Sequence, residues 1–232
     1  MKFIHAIDLG NWFPCHNLAL SGRLVSPNAL AALDSGVGEI HQFIDNVPIE
    51  DLAAGLHPPS AVTPRAAGEI VRAGILRRGM ELANGFNEVE LMSDETKQDA
   101  LRSSDVELVF ERVRREVMPS AVSRLSCLYL AERSEEGEAM LQTMLGRNVY
   151  ILRVRPMLTL RITKVDAAWF DGFFDSNDIE DARRYWRGIE RIPGNGKWEY
   201  LFDGVLEVED LAQIEYVRKH GASMASAARR PA

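Results

Sequence analysis

The side chains here that could do chemistry fall in three places along the sequence. Glu199 stands in the alternating run Trp198 to Phe202, where strand geometry turns Trp198 and Tyr200 to one face and lets the carboxylate look into a cleft on the other. Between positions 123 and 129 come Ser123, Arg124, Ser126 and Tyr129: hydroxyl donors, a guanidinium fork that grips an anion in two places, and an aromatic face for stacking. His5 is the polar member of Phe3, His5 and Ile7, the side of the opening run that turns inward. A carboxylate held in place stabilises positive charge that develops at a sugar carbon during glycosidic cleavage. Each residue also has an ordinary alternative: a solvated strand carboxylate, a structural ion pair, turn hydroxyls, a core tyrosine and a satisfied core histidine. Glu207 and Glu209 compete with Glu199 for the carboxylate role.

Other chemistries are excluded or weakened. Cys15 and Cys127 lie far apart without CxxC spacing, and the five histidines form no HExxH pattern, so neither a metal site nor a disulfide framework is encoded. Gly194-Asn195-Gly196-Lys197 lacks the spacing and the following Ser or Thr of a phosphate loop. Gly36-Val37-Gly38 lacks the third glycine and the preceding strand of a dinucleotide fingerprint. A formal net charge of −7 argues against affinity gained by neutralising phosphates, though not against a local basic cleft. No apolar run approaches the roughly 20 residues that span a bilayer, and Met1 to Ile7 is too short for a secretory signal. The expected location is the cytoplasm, or a target cell reached without a cleavable signal peptide.

The positioning elements follow from periodicity. Residues 2–7 read as a strand, and 26–47 as one broken or two short helices interrupted at Gly36 and Gly38. Residues 57–64 are irregular, 65–82 helical, and 84–92 a loop or short strand. A helix over 105–117 takes Asp105 as its N-cap, 125–131 is a buried strand, and Ser134 caps the next helix. Two neighbouring strands, 148–155 and 158–163, flank Pro156. A helix covers 176–189, a hairpin joins 198–202 to 205–208 through an Asp203-Gly204 turn, and 211–219 closes the chain as a helix.

Three blocks, taken together, resemble a bacterial family of ADP-ribosyltransferase-like proteins. They are Glu111 to Ala139, with Arg114, Pro119, Ser123-Arg124, Tyr129 and Glu138-Ala139; Trp186-Arg187-Gly188 followed by Trp198-Glu199-Tyr200-Leu201 and Gly204-Val205; and the opening strand with His5. The resemblance implies an α+β fold with a split mixed sheet flanked by helices. It implies one domain over 1–220, with 21–105 a largely helical insertion or target-recognition region and 221–232 a flexible tail. It also implies an NAD-dependent mono-ADP-ribosyltransferase, of toxin or effector type, acting on a macromolecule. Glu199 is then the catalytic carboxylate, and His5, Ser123, Arg124, Ser126 and Tyr129 hold NAD as co-substrate. The acidic balance favours a protein acceptor over nucleic acid, a small basic protein such as ubiquitin being one conjecture. An inactive NAD- or partner-binding module of the same fold, an NAD glycohydrolase and a ligand-free structural protein are the alternatives.

Overall fold

The structure, a computed structural model, describes residues 1–35, 42–58, 60–82, 91–145 and 148–222. The expected interruption at Gly36 and Gly38, most of 84–92, and the tail beyond 222 lie outside the described residues. The fold is α+β. Strands β1 (Phe3–Asp8), β2 (Arg23–Val25), β3 (Leu128–Glu132), β4 (Val149–Asp166) and β5 (Trp198–Val208) form one sheet in the order β2-β5-β3-β1-β4. Every pairing among them is antiparallel, in place of the mixed sheet expected. Val154 pairs with Phe3 of β1 and with Val208 of β5, so β4 links the two and the ring β5-β3-β1-β4-β5 closes.

Two strand expectations are corrected by this closure. The segments on either side of Pro156 are one continuous strand, the proline being accommodated where the β4–β5 register shifts between Pro156 and Leu158. Likewise the Asp203-Gly204 pair is no hairpin turn, because β5 runs straight through it. Gly204 is required there by contact: a Cβ would meet the Leu158 carbonyl oxygen at 2.0 Å, and its φ of +151 suits glycine. Asp203 is buried, accepting hydrogen bonds from Ser26 Oγ (2.6 Å) and Asn28 Nδ2 (3.0 Å).

Helices cover both faces of the sheet. On one side lie α1 (Trp12–Ser21) and α9 (Leu211–His220), packing Cys15, Leu18, Ile214 and Val217 against Leu130, Leu152, Tyr200, Phe202 and Leu206. The sequence reading left α1 out, although Asn11 caps its N-terminus through the Phe13 amide and Gly22 ends it in the left-handed conformation, both legible signals. On the other side lie α5 (Asp94–Val117), α6 (Glu135–Leu145), α7 (Ala167–Ser176) and α8 (Ile179–Trp186), around Phe110, Tyr129, Leu141, Val165, Tyr185, Trp186 and Leu201. A third cluster sets α3 (Ile49–Ala53) and α4 (Pro64–Arg77), with Ile44 and Val47, against Leu108 of α5 and Leu125. α2 (Pro27–Ser35) follows β2.

The helix boundaries differ from periodicity in instructive ways. α5 starts at Asp94 with Ser93 as its N-cap, and its first turn carries Asp94 and Glu95, so Asp105 is an interior residue that pairs with Arg77 of α4. The polar half was invisible to an apolar-periodicity test because it contributes little to the core. Ser176 ends α7, and Asp178 caps α8 through the Glu180 amide, so 176–189 is not one helix. Pro64 opens α4 with Thr63 as cap, where its missing N–H costs nothing. The helix over 135–145 and its Ser134 cap, through the Gly137 amide, agree with expectation.

Candidate functional site

The site begins on α5, where Glu107 and Glu111 sit one turn apart and both are buried. Past Met118 the chain doubles back, and residues 123–126 run alongside the helix. Ser123 Oγ donates to Glu111 Oε2 (2.7 Å), while Arg124 grips Glu107 in two places, Nε to Oε2 at 3.0 Å and Nη2 to Oε1 at 3.2 Å. Arg114 anchors the same turn, bonding Glu111, the carbonyls of Pro119 and Ala121, and Asp45. Burial pulls the Glu111 carboxyl upward, but Arg114 and Arg115, the latter bonded to Oε1 at 2.8 Å, together with Ser123 hold it below its usual range.

β5 supplies the second carboxylate. Alternation sends Trp198 and Tyr200 to the α1–α9 side and Glu199, with Leu201, to the α5–α8 side, as expected. Glu199 exposes none of its surface. Its Oε1 accepts from Arg124 Nη1 at 2.7 Å and from the Tyr185 hydroxyl at 2.5 Å, and its Oε2 is buried with no hydrogen-bond partner among the described residues. An ionised oxygen left bare in the interior is costly, and such groups gather at functional sites.

Aromatic rings complete the enclosure. The Arg124 guanidinium stacks 3.6 Å above the Phe170 ring of α7 and also lies near the rings of Tyr129 and Tyr185. Tyr129 donates its hydroxyl to the Arg124 carbonyl (3.0 Å) and accepts from Arg65 Nη2 (3.1 Å). Burial pushes both tyrosine hydroxyls far above their ordinary range, and Glu199 adds to the shift at Tyr185, so both remain protonated donors at neutral pH. Burial likewise raises the Cys127 thiol, which leaves it an inert neighbour.

Arg65 extends the cluster to the surface. It reaches Glu69 Oε1 at 3.3 Å and Glu107 Oε1 at 3.7 Å, giving a chain of alternating charge, Glu69–Arg65–Glu107–Arg124–Glu199, from the half-exposed Glu69 to the sheet. Three carboxylates face two guanidiniums. Burial and the nearby Glu107 raise the Glu69 carboxyl above its usual range, with Arg65 opposing.

The structure therefore gathers Ser123, Arg124, Tyr129 and Glu199, with Ser126 buried in the same turn, its amide bonded to the Ser123 carbonyl at 3.2 Å. It does not bring His5 to them. His5 pairs with Leu130, so its ring lies on the α1–α9 face, where Nδ1 bonds the Tyr129 carbonyl at 2.8 Å. Glu207 lies eight residues beyond Glu199, about 26 Å along the strand, and pairs with Arg155. Sequence reasoning missed Glu107, Tyr185 and Arg65. Tyr185 was legible in outline: the buried stripe of α8 is Asp181, Ala182, Tyr185 and Trp186, one position away from the expected face of Ile179, Ala182, Arg183 and Trp186.

A surface cleft of about 480 Å³ lies between α5 and α7, floored by Val106, Val109 and Phe173, and does not reach Glu199. The Gly194–Lys197 segment forms an ordinary turn, its Gly194 amide bonding Glu190 and Lys197 pairing with Asp171. Among the described residues no group of His, Cys, Asp and Glu could hold a metal ion, and no helix is long and apolar enough to cross a membrane. No curated protein matches the chain. Residues 82–216 match the family described as Protein of unknown function (DUF2441); this stretch is more than half of the chain, it contains Glu107, Arg124, Tyr129, Tyr185 and Glu199, and the chain belongs to that family.

Proposed function

We propose that this chain is an ADP-ribosyltransferase in which Glu199 acts on NAD. The observation that carries the proposal is the buried, unpartnered Oε2 of Glu199. A structural ion pair would be expected to satisfy both oxygens, whereas a carboxylate that must face a developing cation keeps one lone pair free. In the reaction, the bond from ribose C1′ to the nicotinamide nitrogen breaks and its electron pair leaves with nicotinamide, neutralising the pyridinium. Positive charge develops on the ribose, Glu199 stabilises it, and a nucleophile on the acceptor attacks C1′ and loses its proton. Arg124 and the Tyr185 hydroxyl fix the carboxylate from one side through Oε1. Tyr129, Ser123 and Ser126, which flank Arg124 in the chain, are the groups assigned to orienting the substrate. His5 stands on the far face of the sheet and takes no part in this arrangement.

A second interpretation has its own observation. Glu199 and Arg124 are sealed from solvent, and Phe170 and Tyr185 cover the guanidinium, which suits a binding module of the same fold that performs no chemistry. Nicotinamide release from NAD by the purified chain, with and without a cell lysate as acceptor, separates the two. Release that disappears in Glu199→Ala supports the enzyme, and lysate dependence marks a transferase rather than a glycohydrolase. No release, with NAD still raising the melting temperature, supports the module.

A further inference from the structure

We propose that the surface formed by Trp169 of α7 and residues 184–192 docks a segment of the acceptor protein that carries acidic and apolar side chains. α8 ends at Trp186, and Gly188, in the left-handed conformation (φ +65), turns the chain back towards α7. The Trp169 indole donates to the Ile189 carbonyl at 2.7 Å, and the guanidiniums of Arg184 and Arg191 lie 5.1 Å and 5.4 Å from its ring centre. Ile189 and Ile192 remain exposed beside this core, at 45% and 56% of their surface. Exposed apolar side chains set among cations mark a surface for a partner that offers both kinds of contact.

The charge here is available. Arg187 is exposed, and among the described residues its side chain has no ion pair or hydrogen bond. Arg191 bonds the Ala168 carbonyl and pairs with no carboxylate among the described residues. The neighbouring acids are engaged elsewhere. Glu190 accepts from the Gly194 amide at 2.8 Å, Asp171 pairs with Lys197, and Asp181 bonds Ser176 and Arg184. Asp166 is buried and accepts from the amides of Ala168, Arg191 and Lys197. Residues 184–192 thus hold three arginines and one glutamate, in a chain whose net charge is −7. An acidic segment is complementary to this patch, and a second copy presenting the same patch would meet like charge. Nucleic acid would use the cations, but the Trp169 ring already carries two guanidiniums and the isoleucines offer a base nothing to stack on.

Place connects the patch to Glu199. The Arg191 amide bonds Asp166, and Asp166 pairs with Trp198, one position before Glu199 on β5. Trp169 and Arg184 belong to the same helical layer that Glu199 faces. A docked segment is thereby held at the Glu199 end of the sheet. The role as acceptor rests on the transferase proposal; the binding itself does not.

The test uses the full chain without NAD and a fluorescent peptide of alternating Glu and Leu, about ten residues or about 33 Å when extended. Anisotropy at low salt should show binding, and amides of 187–192 should exchange with solvent more slowly when the peptide is bound. Arg187→Glu combined with Ile192→Ser, at two exposed positions, should weaken binding at least about tenfold, with the melting temperature confirming that the variant is folded. No binding, or binding without protection of those amides, would overturn the proposal. Equal binding of a Glu and Ser peptide, or of a single-stranded oligonucleotide, would overturn it by reducing the patch to unselective charge. Vesicles of anionic lipid that protect these amides where the peptide does not would overturn it in favour of a membrane surface. Peptide binding without NAD cleavage would keep this inference and remove the transferase, and cleavage without peptide binding would do the reverse.

Discussion

Replacing Glu199 by Gln and Arg124 by Met should separate stability from chemistry at one buried site. Arg124→Met leaves Glu107 and Glu199 in the interior without their shared cation, and breaking a buried pair from one side costs about 3–5 kcal/mol. For a chain of this size 1 kcal/mol moves the melting temperature by about 2–4 °C, so the variant should melt roughly 6–20 °C lower. Glu199→Gln removes a buried charge together with its ion pair, two effects of opposite sign. The Gln carbonyl can still accept from Arg124 and Tyr185, and its amide occupies the place of the bare Oε2. Its cost should be about 1 kcal/mol or less, while nicotinamide release is lost. Urea melts at neutral pH and a release assay on the same preparations measure both. A loss of about 3 kcal/mol or more in Glu199→Gln, with NAD turnover unaffected, would show that the carboxylate is a structural brace and refute the reasoning.

Two further outcomes follow from the framework around the site. Gly204→Ala should destabilise by about 2–4 kcal/mol in urea melts, since its Cβ would meet the Leu158 carbonyl, a backbone atom that cannot move without breaking the β4–β5 register; a change of a few tenths would contradict the close approach. His5 has its pKa lowered by burial, its bond to the Tyr129 carbonyl opposing, so the unfolded chain binds the proton more readily and stability should fall as pH drops below the ordinary histidine range. Urea midpoints against pH should show a shallower acid decline in His5→Asn; equal slopes would place the acid sensitivity elsewhere.

How much of this was legible in the sequence depended on the length scale of each signal. Strand alternation correctly set Glu199 apart from Trp198 and Tyr200, because one face of β5 packs on each helical layer and the period of two is strict. The Ser134 cap and the closing helix were readable for similarly local reasons. What failed was continuity. Pro156 and Asp203-Gly204 look like breaks, yet the register shifts after Pro156 and Thr159 absorb both within two long paired strands. The ion chain was illegible for a different cause: Arg65, Glu107, Arg124 and Glu199 are brought together only by tertiary packing, and their spacing has no periodicity. His5 shows the converse, a residue of suitable type and inward orientation whose face of the sheet a single strand cannot reveal.

The order of the ion chain bears on how anything could reach Glu199. Arg124 is held at 2.6–3.2 Å by four hydrogen bonds to Glu107, Glu199 and Tyr185 and is stacked on Phe170, so it is the tightly fixed link. Arg65 holds its partners at 3.1 Å, 3.3 Å and 3.7 Å, and one of them, Glu69, is a half-exposed carboxylate whose pKa is raised by burial. Contacts of that length exchange for a ligand at lower cost than short charge-assisted bonds in the interior. Arg65 and Arg124 lie 5.0 Å and 5.3 Å from the centre of the Tyr129 ring and both approach Glu107 Oε1, so displacing Arg65 would first open the Tyr129 and Glu107 side of the site. Access thus depends on α4, which lies in the 21–105 stretch and ahead of the 82–216 family match, while the carboxylate and its positioning groups lie within that match. On the transferase proposal, entry and chemistry would fall to different parts of the chain, so changes in α4 would alter what enters without disturbing how Glu199 is held.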